Sequence, residues 1–211
     1  MEITQMVLGD FKTNCYIVTS ENNKAVVIDP GYEGEKVVAK IKELGAKVEY
    51  ILLTHGHFDH IGGVDTIKKN FPEAKCAVMK EDEELCKNPS LVSPELANAP
   101  TAEVDMLMTD GDVVKVDELT FKYMATPGHT KGSACIICGN KLFSGDTLMS
   151  RGCGRTDLYG GSTKAIRVSL KKIGELEGDY EVFTGHGPGT TLDIERYANP
   201  YVRKSLGLDV L

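Results

Sequence analysis

The sequence predicts an α/β fold, and three patterns predict it. Short apolar runs of strand length recur along the chain. Stretches with helical apolar spacing alternate with some of them, at residues 34–44, 61–70 and 162–173. The histidines fall in turns that follow strand-like runs, and open α/β sheets place ligands at such strand ends.

Taken in order, the N-terminal part reads as a β-meander. Its strands span residues 3–8, 15–19 and 25–29, with Glu21-Asn-Asn-Lys24 as a turn between the last two. Asp29-Pro-Gly31 ends the third strand. Residues 34–44 read as a helix that buries Val37, Val38, Ile41 and Leu44, and Gly45 stops it where glycine is favoured. Residues 50–53 read as a buried strand. Residues 61–70 read as a helix with Ile61, Val64 and Ile67 on one side. A short strand at 76–79 and a helical turn at 81–86 follow. Residues 88–112 contain Pro89, Pro94 and Pro100 and are the least regular stretch. A long loop beside a site can act as a lid, but a plain connector is the expectation here. Residues 113–116 and 119–125 read as strands. Residues 133–138 and 141–143 form a hairpin across Gly139-Asn140. Residues 162–173 read as a helix capped by Ser162, residues 180–183 as the last strand, and 192–197 as the start of a short C-terminal helix broken at Asn199-Pro200.

The chemistry concentrates at residues 54–60, Thr-His-Gly-His-Phe-Asp-His. Neutral imidazole suits zinc and related borderline metals, and carboxylate oxygen completes such sites. Gly56 frees the backbone, so that His55 and His57 can turn toward one point. His55, His57, Asp59 and His60 are too many donors for one catalytic metal, which keeps an open position, and suit two metals sharing the loop. The bland reading, a His-rich surface turn, fits three histidines and an aspartate at this spacing poorly. The two remaining histidines of the five also sit in glycine-bearing turns after strands, His129 in Pro127-Gly-His-Thr130 and His186 in Gly185-His-Gly187, so none is left over. Asp146, in Ser144-Gly-Asp-Thr147, is by itself no more than a strand-end turn former. Asp29 either hydrogen-bonds a histidine ligand or serves only its turn.

With 211 residues the chain is long enough for one well-buried core and short for two, so one domain over 1–211 is expected. A net charge of −7 argues against nucleic acid or an anionic membrane as partner. No apolar run reaches transmembrane length, and the first ten residues lack the basic and apolar segments of a signal peptide, so a cytoplasmic protein is expected. The six cysteines show no disulfide-framework density. Cys135 and Cys138, three apart on a strand, are expected to face opposite sides as buried thiols.

His55-x-His57-x-Asp59-His60, followed by His129, Asp146 and His186, resembles the metallo-β-lactamase superfamily. The resemblance implies a four-layer α/β-β/α sandwich with metals at one edge. It assigns His55, His57 and His129 to one metal and Asp59, His60 and His186 to a second, with Asp146 bridging. The implied cofactors are two divalent ions, zinc first, with iron or manganese as the alternatives. Within the superfamily, residues 142–148, Leu-Phe-Ser-Gly-Asp-Thr-Leu, and Gly152-Cys-Gly-Arg155 resemble glyoxalase II, the hydroxyacylglutathione hydrolases. There a basic residue at the position of Arg155 holds a glutathione carboxylate. Asp157 stands where those enzymes have an aromatic residue, and their C-terminal helical extension has no counterpart in the 211 residues, so the resemblance is to the short bacterial forms.

The reaction so implied is attack of a metal-bound hydroxide on the carbonyl of a small-molecule thioester. With all five histidines assigned as ligands none remains as a general acid. That favours a thiolate leaving group, although Asp59 could also carry a proton. The rivals on the same scaffold are a lactonase and a persulfide dioxygenase with one iron on His55, His129 and Asp146. A purely structural site needs only four ligands, so the seven-residue set sets that reading aside.

Overall fold

Tyr16 and Val18 face one side of their strand, Cys15 and Ile17 the other, and all four are buried. A strand with two buried faces must lie in a sheet covered on both sides. The computed structural model describes residues 1–209 and builds two such sheets. The first contains β1 (Glu2–Leu8), β2 (Thr13–Thr19), β3 (Lys24–Ile28), β4 (Lys47–Leu52), β5 (Lys75–Met79) and β6 (Met106–Met108), in that spatial order. Its first three strands form the expected antiparallel meander, and pairing from β3 to β6 is parallel. The second contains β7 (Val113–Val116), β8 (Leu119–Ala125), β9 (Ala134–Cys138), β10 (Lys141–Gly145), β11 (Glu181–Thr184) and β12 (Thr190–Thr191). It is antiparallel except where β10 pairs with β11.

Three cores separate four layers. Between the sheets, Tyr16, Val26 and Leu52 meet Phe121, Tyr123 and Phe143. Phe121 and Phe143 are wholly buried there, and truncating either to alanine would cost about 3–5 kcal/mol. On the outer face of the first sheet, Ile17, Val27 and Ile51 pack under Val37 and Ile41 of α1 (Gly34–Glu43), together with Ile61 of α2 (Phe58–Ile61) and Ile67 of α3 (Val64–Asn70). A short α4 (Glu83–Lys87) follows β5. On the outer face of the second sheet, Cys135, Leu142 and Val182 pack under Ile166, Leu170 and Ile173 of α5 (Thr163–Gly174), Leu192 of α6 (Leu192–Ala198) and Val202 of α7 (Pro200–Ser205). Cys135 lies in this outer core and Cys138 in the inner one, so their sulfurs diverge as expected.

Several elements differ from the sequence reading. The helix expected over 61–70 starts at Phe58 and breaks at Gly62-Gly63. The break lets the Pro30-Gly31 turn come in, where Gly63 N–H donates to the Pro30 oxygen at 2.8 Å and a side chain at Gly63 would strike the Gly31 oxygen. Asp59 and His60 are therefore helical rather than part of a plain turn. The stretch 88–112 is not structureless: single 3₁₀ turns occur at Pro89–Leu91 and Pro94–Leu96, and β6 adds to the sheet edge. The strand over 181–184 is not the last, because the two-residue β12 pairs with it. Ser162 caps α5 as predicted, accepting from Ala165 N, and Asn199 both breaks the chain and caps α7 by accepting from Tyr201 N and Val202 N. Among the described residues no helix is long and apolar enough to cross a membrane.

Candidate metal centre

Asp29, His55, His129, Asp146 and His186 follow the C-terminal ends of β3, β4, β8, β10 and β11, and α2 adds Asp59 and His60. The two sheets are tied together here. Ala134 N donates to the Thr54 oxygen and Asn14 N to the Gly185 oxygen, each at 2.8 Å. The Asn14 amide donates to the Thr184 and Gly187 oxygens, both at 2.9 Å. All seven predicted ligands come together in one cluster. His186 is the most open of them, with a side chain 25% exposed.

Hydrogen bonding fixes the orientation of four imidazoles. His60 Nδ1 donates to Asp29 Oδ2 at 3.0 Å, His129 Nδ1 to the Arg155 oxygen at 2.8 Å, and His186 Nδ1 to the Phe11 oxygen at 3.0 Å. Thr54 Oγ1 gives its proton to Asp29 Oδ2 at 2.6 Å, so it accepts from His55 Nδ1 at 3.1 Å. In its neutral form each of these rings has Nε2 as a lone-pair donor facing inward, as metal-binding histidines require. His57 is turned the other way and presents Nδ1.

The inward atoms fall into two groups. His57 Nδ1 lies 3.1 Å from His55 Nε2 and 2.9 Å from His129 Nε2. His186 Nε2 lies 3.1 Å from His60 Nε2 and 3.4 Å from Asp59 Oδ2, and His60 Nε2 is 3.7 Å from that same oxygen. Asp146 Oδ2 stands 3.5 Å from His129 Nε2 and 3.5 Å from His186 Nε2, between the groups. Tetrahedral sites with bonds near 2.0–2.1 Å place their ligand atoms about 3.3 Å apart, so both groups are spaced to hold a metal ion. Asp29 is also within reach of His55 and His60. Its oxygens, however, already accept Thr54 N at 2.8 Å, Thr54 Oγ1 and His60 Nδ1, which makes it a partner that orients ligands.

The protein groups alone do not satisfy one another. His57 Nδ1 faces two ring nitrogens, and one proton can bridge only one of those contacts. His57 Nε2 and Asp146 Oδ1 are buried with no hydrogen-bond partner among the described residues. Burial, then the neighbouring imidazoles with His60 foremost, holds His55 well below its usual pKa. Burial and His129 push His57 down to about 3. At the other end burial works to lower His60, but Asp59, Asp146 and Asp29 outweigh it and push it up to about 10. Burial likewise works to lower His186, but the bond to Asp59 and the charge of Asp146 outweigh it and raise its pKa. Burial would raise Asp59, yet His60 and His186 hold it well below the carboxylate range. The cluster thus has a neutral nitrogen end and an end where carboxylates hold protons on His60 and His186, and a metal cation there would take the place of those protons.

The superfamily's family model matches residues 8–186. The chain belongs to the metallo-β-lactamase superfamily. A relative named hydroxyacylglutathione hydrolase GloC, from Haemophilus influenzae, is 31% identical over 96% of this chain and 98% of its own length. The crystal structure of the BLEG-1 B3 metallo-beta-lactamase matches with a TM-score of 0.89 and 34% identity over 95% of this chain and 99% of that one. The crystal structure of TTHA1623 in a di-iron-bound form matches with a TM-score of 0.82 and 33% identity over 94% and 99%. The two helix-flanked sheets are the metallo-β-lactamase fold, and the His/Asp cluster is positioned as a metal site of this superfamily.

Gly56 and Gly185 are required for space. Gly56 does not adopt the positive φ that would free its backbone; a Cβ there would press on the Asp82 oxygen at 2.8 Å. A Cβ at Gly185 would fall on Asp146 Oδ1. Arg155 lines the cavity above the cluster, but its guanidinium already pairs with Asp157, Nε to Oδ1 and Nη2 to Oδ2, each 2.8 Å. Val92 also lines the cavity, so the stretch expected to be a mere connector reaches the site.

Sequence reasoning missed Asp82, which is 1% exposed. Asp82 Oδ2 accepts Gly56 N at 2.9 Å and Thr130 Oγ1 at 2.6 Å, and Oδ1 accepts Gly132 N at 2.7 Å, tying the His55–His57 loop to the His129 loop. Burial raises its pKa against those donors. In the run Lys80-Glu-Asp-Glu-Glu84 nothing sets it apart from a solvated surface charge.

Proposed function

We propose that the chain is a dinuclear metal-dependent thioester hydrolase of the glyoxalase II type. His55, His57 and His129 would hold one ion, Asp59, His60 and His186 the other, and Asp146 would contact both. When bound, such a pair supplies a water of lowered pKa as nucleophile and positive charge for the carbonyl oxygen. The C–S bond breaks, a C–O bond forms, and the sulfur leaves with the electron pair.

The observation that carries this reading is the composition of the cavity wall. The cavity of about 300 Å³ is lined by Phe11, His57, Phe58, Asp59, Val92, His129, Asp146, Arg155, Leu158 and His186. Among the described residues, apart from the assigned ligands, its only proton-bearing side chain is Arg155, and a guanidinium does not give up its proton. No wall residue serves as a general acid. An amine or alkoxide leaving group needs one; a thiolate, from a thiol of pKa about 8.5, does not. The relative named hydroxyacylglutathione hydrolase supports the same choice. Asp157 already holds the Arg155 guanidinium, which weakens Arg155 as a carboxylate clamp and leaves glutathione as one candidate thiol among others.

The test is metal content per chain by elemental analysis, with hydrolysis of S-lactoylglutathione measured on the same sample. Two metals with rapid thioester cleavage support the proposal. One iron, no thioesterase activity and oxygen uptake with a persulfide would replace it by the dioxygenase. Two metals without thioesterase activity would move the question to lactones and other esters.

A further inference from the structure

The cavity is chemically unlike at its two flanks. On the flank of His186 and Asp59 stand Phe11, whose backbone oxygen holds His186, and Phe58, which lies between His57 and Asp59 in sequence. Their rings meet edge to face at 5.2 Å, and Tyr32 adds to Phe58 at 6.2 Å. Phe11 is 55% exposed although it abuts the reaction centre. It lines both the metal cavity and a neighbouring cavity of about 350 Å³ formed with Gly9, Asp10, Tyr32 and Glu33. On the flank of His129 stands the exposed Arg155–Asp157 pair, which is polar but internally neutralised.

We infer that the acyl half of the substrate is an apolar, uncharged group seated on the Phe11–Phe58 wall. The inference rests on the thioesterase reading above and adds the substrate class. A water-soluble thiol carrier is polar, and the Arg155–Asp157 flank suits it. The aromatic flank then takes the other half of the thioester. Aromatic walls reward apolar surface removed from water, and flat or branched groups pack edge to face on them. A small hydroxyacyl group would leave the Phe11 ring wet. Asp10 and Glu33 beyond the wall disfavour an acyl chain that ends in a carboxylate.

The experiment uses the metal-loaded full chain and N-acetylcysteamine thioesters of phenylacetate, hexanoate, lactate and succinate, so that the thiol half is constant. The expected result is a kcat/KM at least about tenfold higher for phenylacetyl and hexanoyl than for lactoyl, with succinyl lowest. Phe11→Ala is expected to collapse that ratio to about threefold or less. Calorimetric binding of phenylacetate against lactate gives a second readout that does not need turnover; phenylacetate is expected to bind more tightly, and to lose this advantage in Phe11→Ala. Efficient hydrolysis with lactoyl or succinyl preferred would overturn the inference and leave the thioesterase reading intact. No hydrolysis of any thioester, but a phenylacetate preference that depends on Phe11, would overturn the thioesterase reading and leave the apolar seat standing. A ratio unchanged in Phe11→Ala would remove Phe11 from the seat and overturn the inference.

Discussion

Asp29→Asn separates two roles that a sequence cannot separate. Asp29 has φ 48° at the end of β3, a left-handed conformation that asparagine tolerates as well as aspartate. The substitution therefore leaves the turn intact and changes only hydrogen bonding. Oδ2 accepts two protons, from Thr54 Oγ1 and His60 Nδ1, and Oδ1 accepts Thr54 N. All three residues are at most 2% exposed. An amide nitrogen in place of Oδ2 would face two donors; after a flip it would face only Thr54 N. One buried donor left without an acceptor costs about 1–3 kcal/mol, the expected loss in urea unfolding of the metal-free chain. In the flipped state His60 keeps a neutral acceptor in place of a carboxylate, and metal affinity is expected to fall about 10–100-fold, as for other partners of metal-bound histidines. Competition with a chromophoric chelator measures that affinity. An affinity within about threefold of the parent, with unchanged unfolding, would show that Asp29 serves the turn alone and would refute the reasoning.

Other outcomes follow from the same geometry. Asp146→Ala should remove at least one metal per chain and most of the activity; normal metal content by elemental analysis would sink the bridging assignment. In the metal-free chain the folded pKa of His60 is raised to about 10, above an unfolded value near 6.5. Its contribution to stability is therefore fully present below pH 6.5 and lost as pH rises through about 10. A metal must displace that proton, so uptake near pH 7.5 should release about one proton, read by calorimetry in buffers of different ionisation enthalpy, and affinity should climb with pH. Asp82→Ala strands Gly56 N, Gly132 N and Thr130 Oγ1, and should cost about 2–5 kcal/mol in urea unfolding while metal content at saturation is retained.

The seven clustered residues were legible because each is a rare type placed in a turn after a strand, and because the superfamily's motif orders them. Element types were legible wherever period and punctuation agreed, as at α1 with its Gly45 stop or α5 with its Ser162 cap. What escaped depends on long-range contact. The break at Gly62-Gly63 is set by the Pro30 turn packing in from another part of the chain. The three-residue β6 exists because β5 offers it an edge. Asp82 works only because two loops more than twenty residues away bring their N–H groups to it. The Arg155–Asp157 pair shows the converse: a substitution visible in the sequence, aspartate for an aromatic residue, has its meaning only once the two side chains are seen to meet.

The links between Asn14 and the Gly185 turn also bear on how the protein is made. His55, His57 and His60 leave a ribosome long before His186, which follows His60 by 126 residues (186 − 60). At roughly 5–20 residues per second the gap lasts roughly 6–25 s. Throughout that interval the three histidines after β4 lack the Gly185 turn that closes the cluster, although β7 to β10 emerge before it. The last loop to emerge is thus the one that completes the cluster, and early capture of an ion by the half-made chain would be an off-pathway event. Order of synthesis gives this protein a period in which metal supply and chain completion compete.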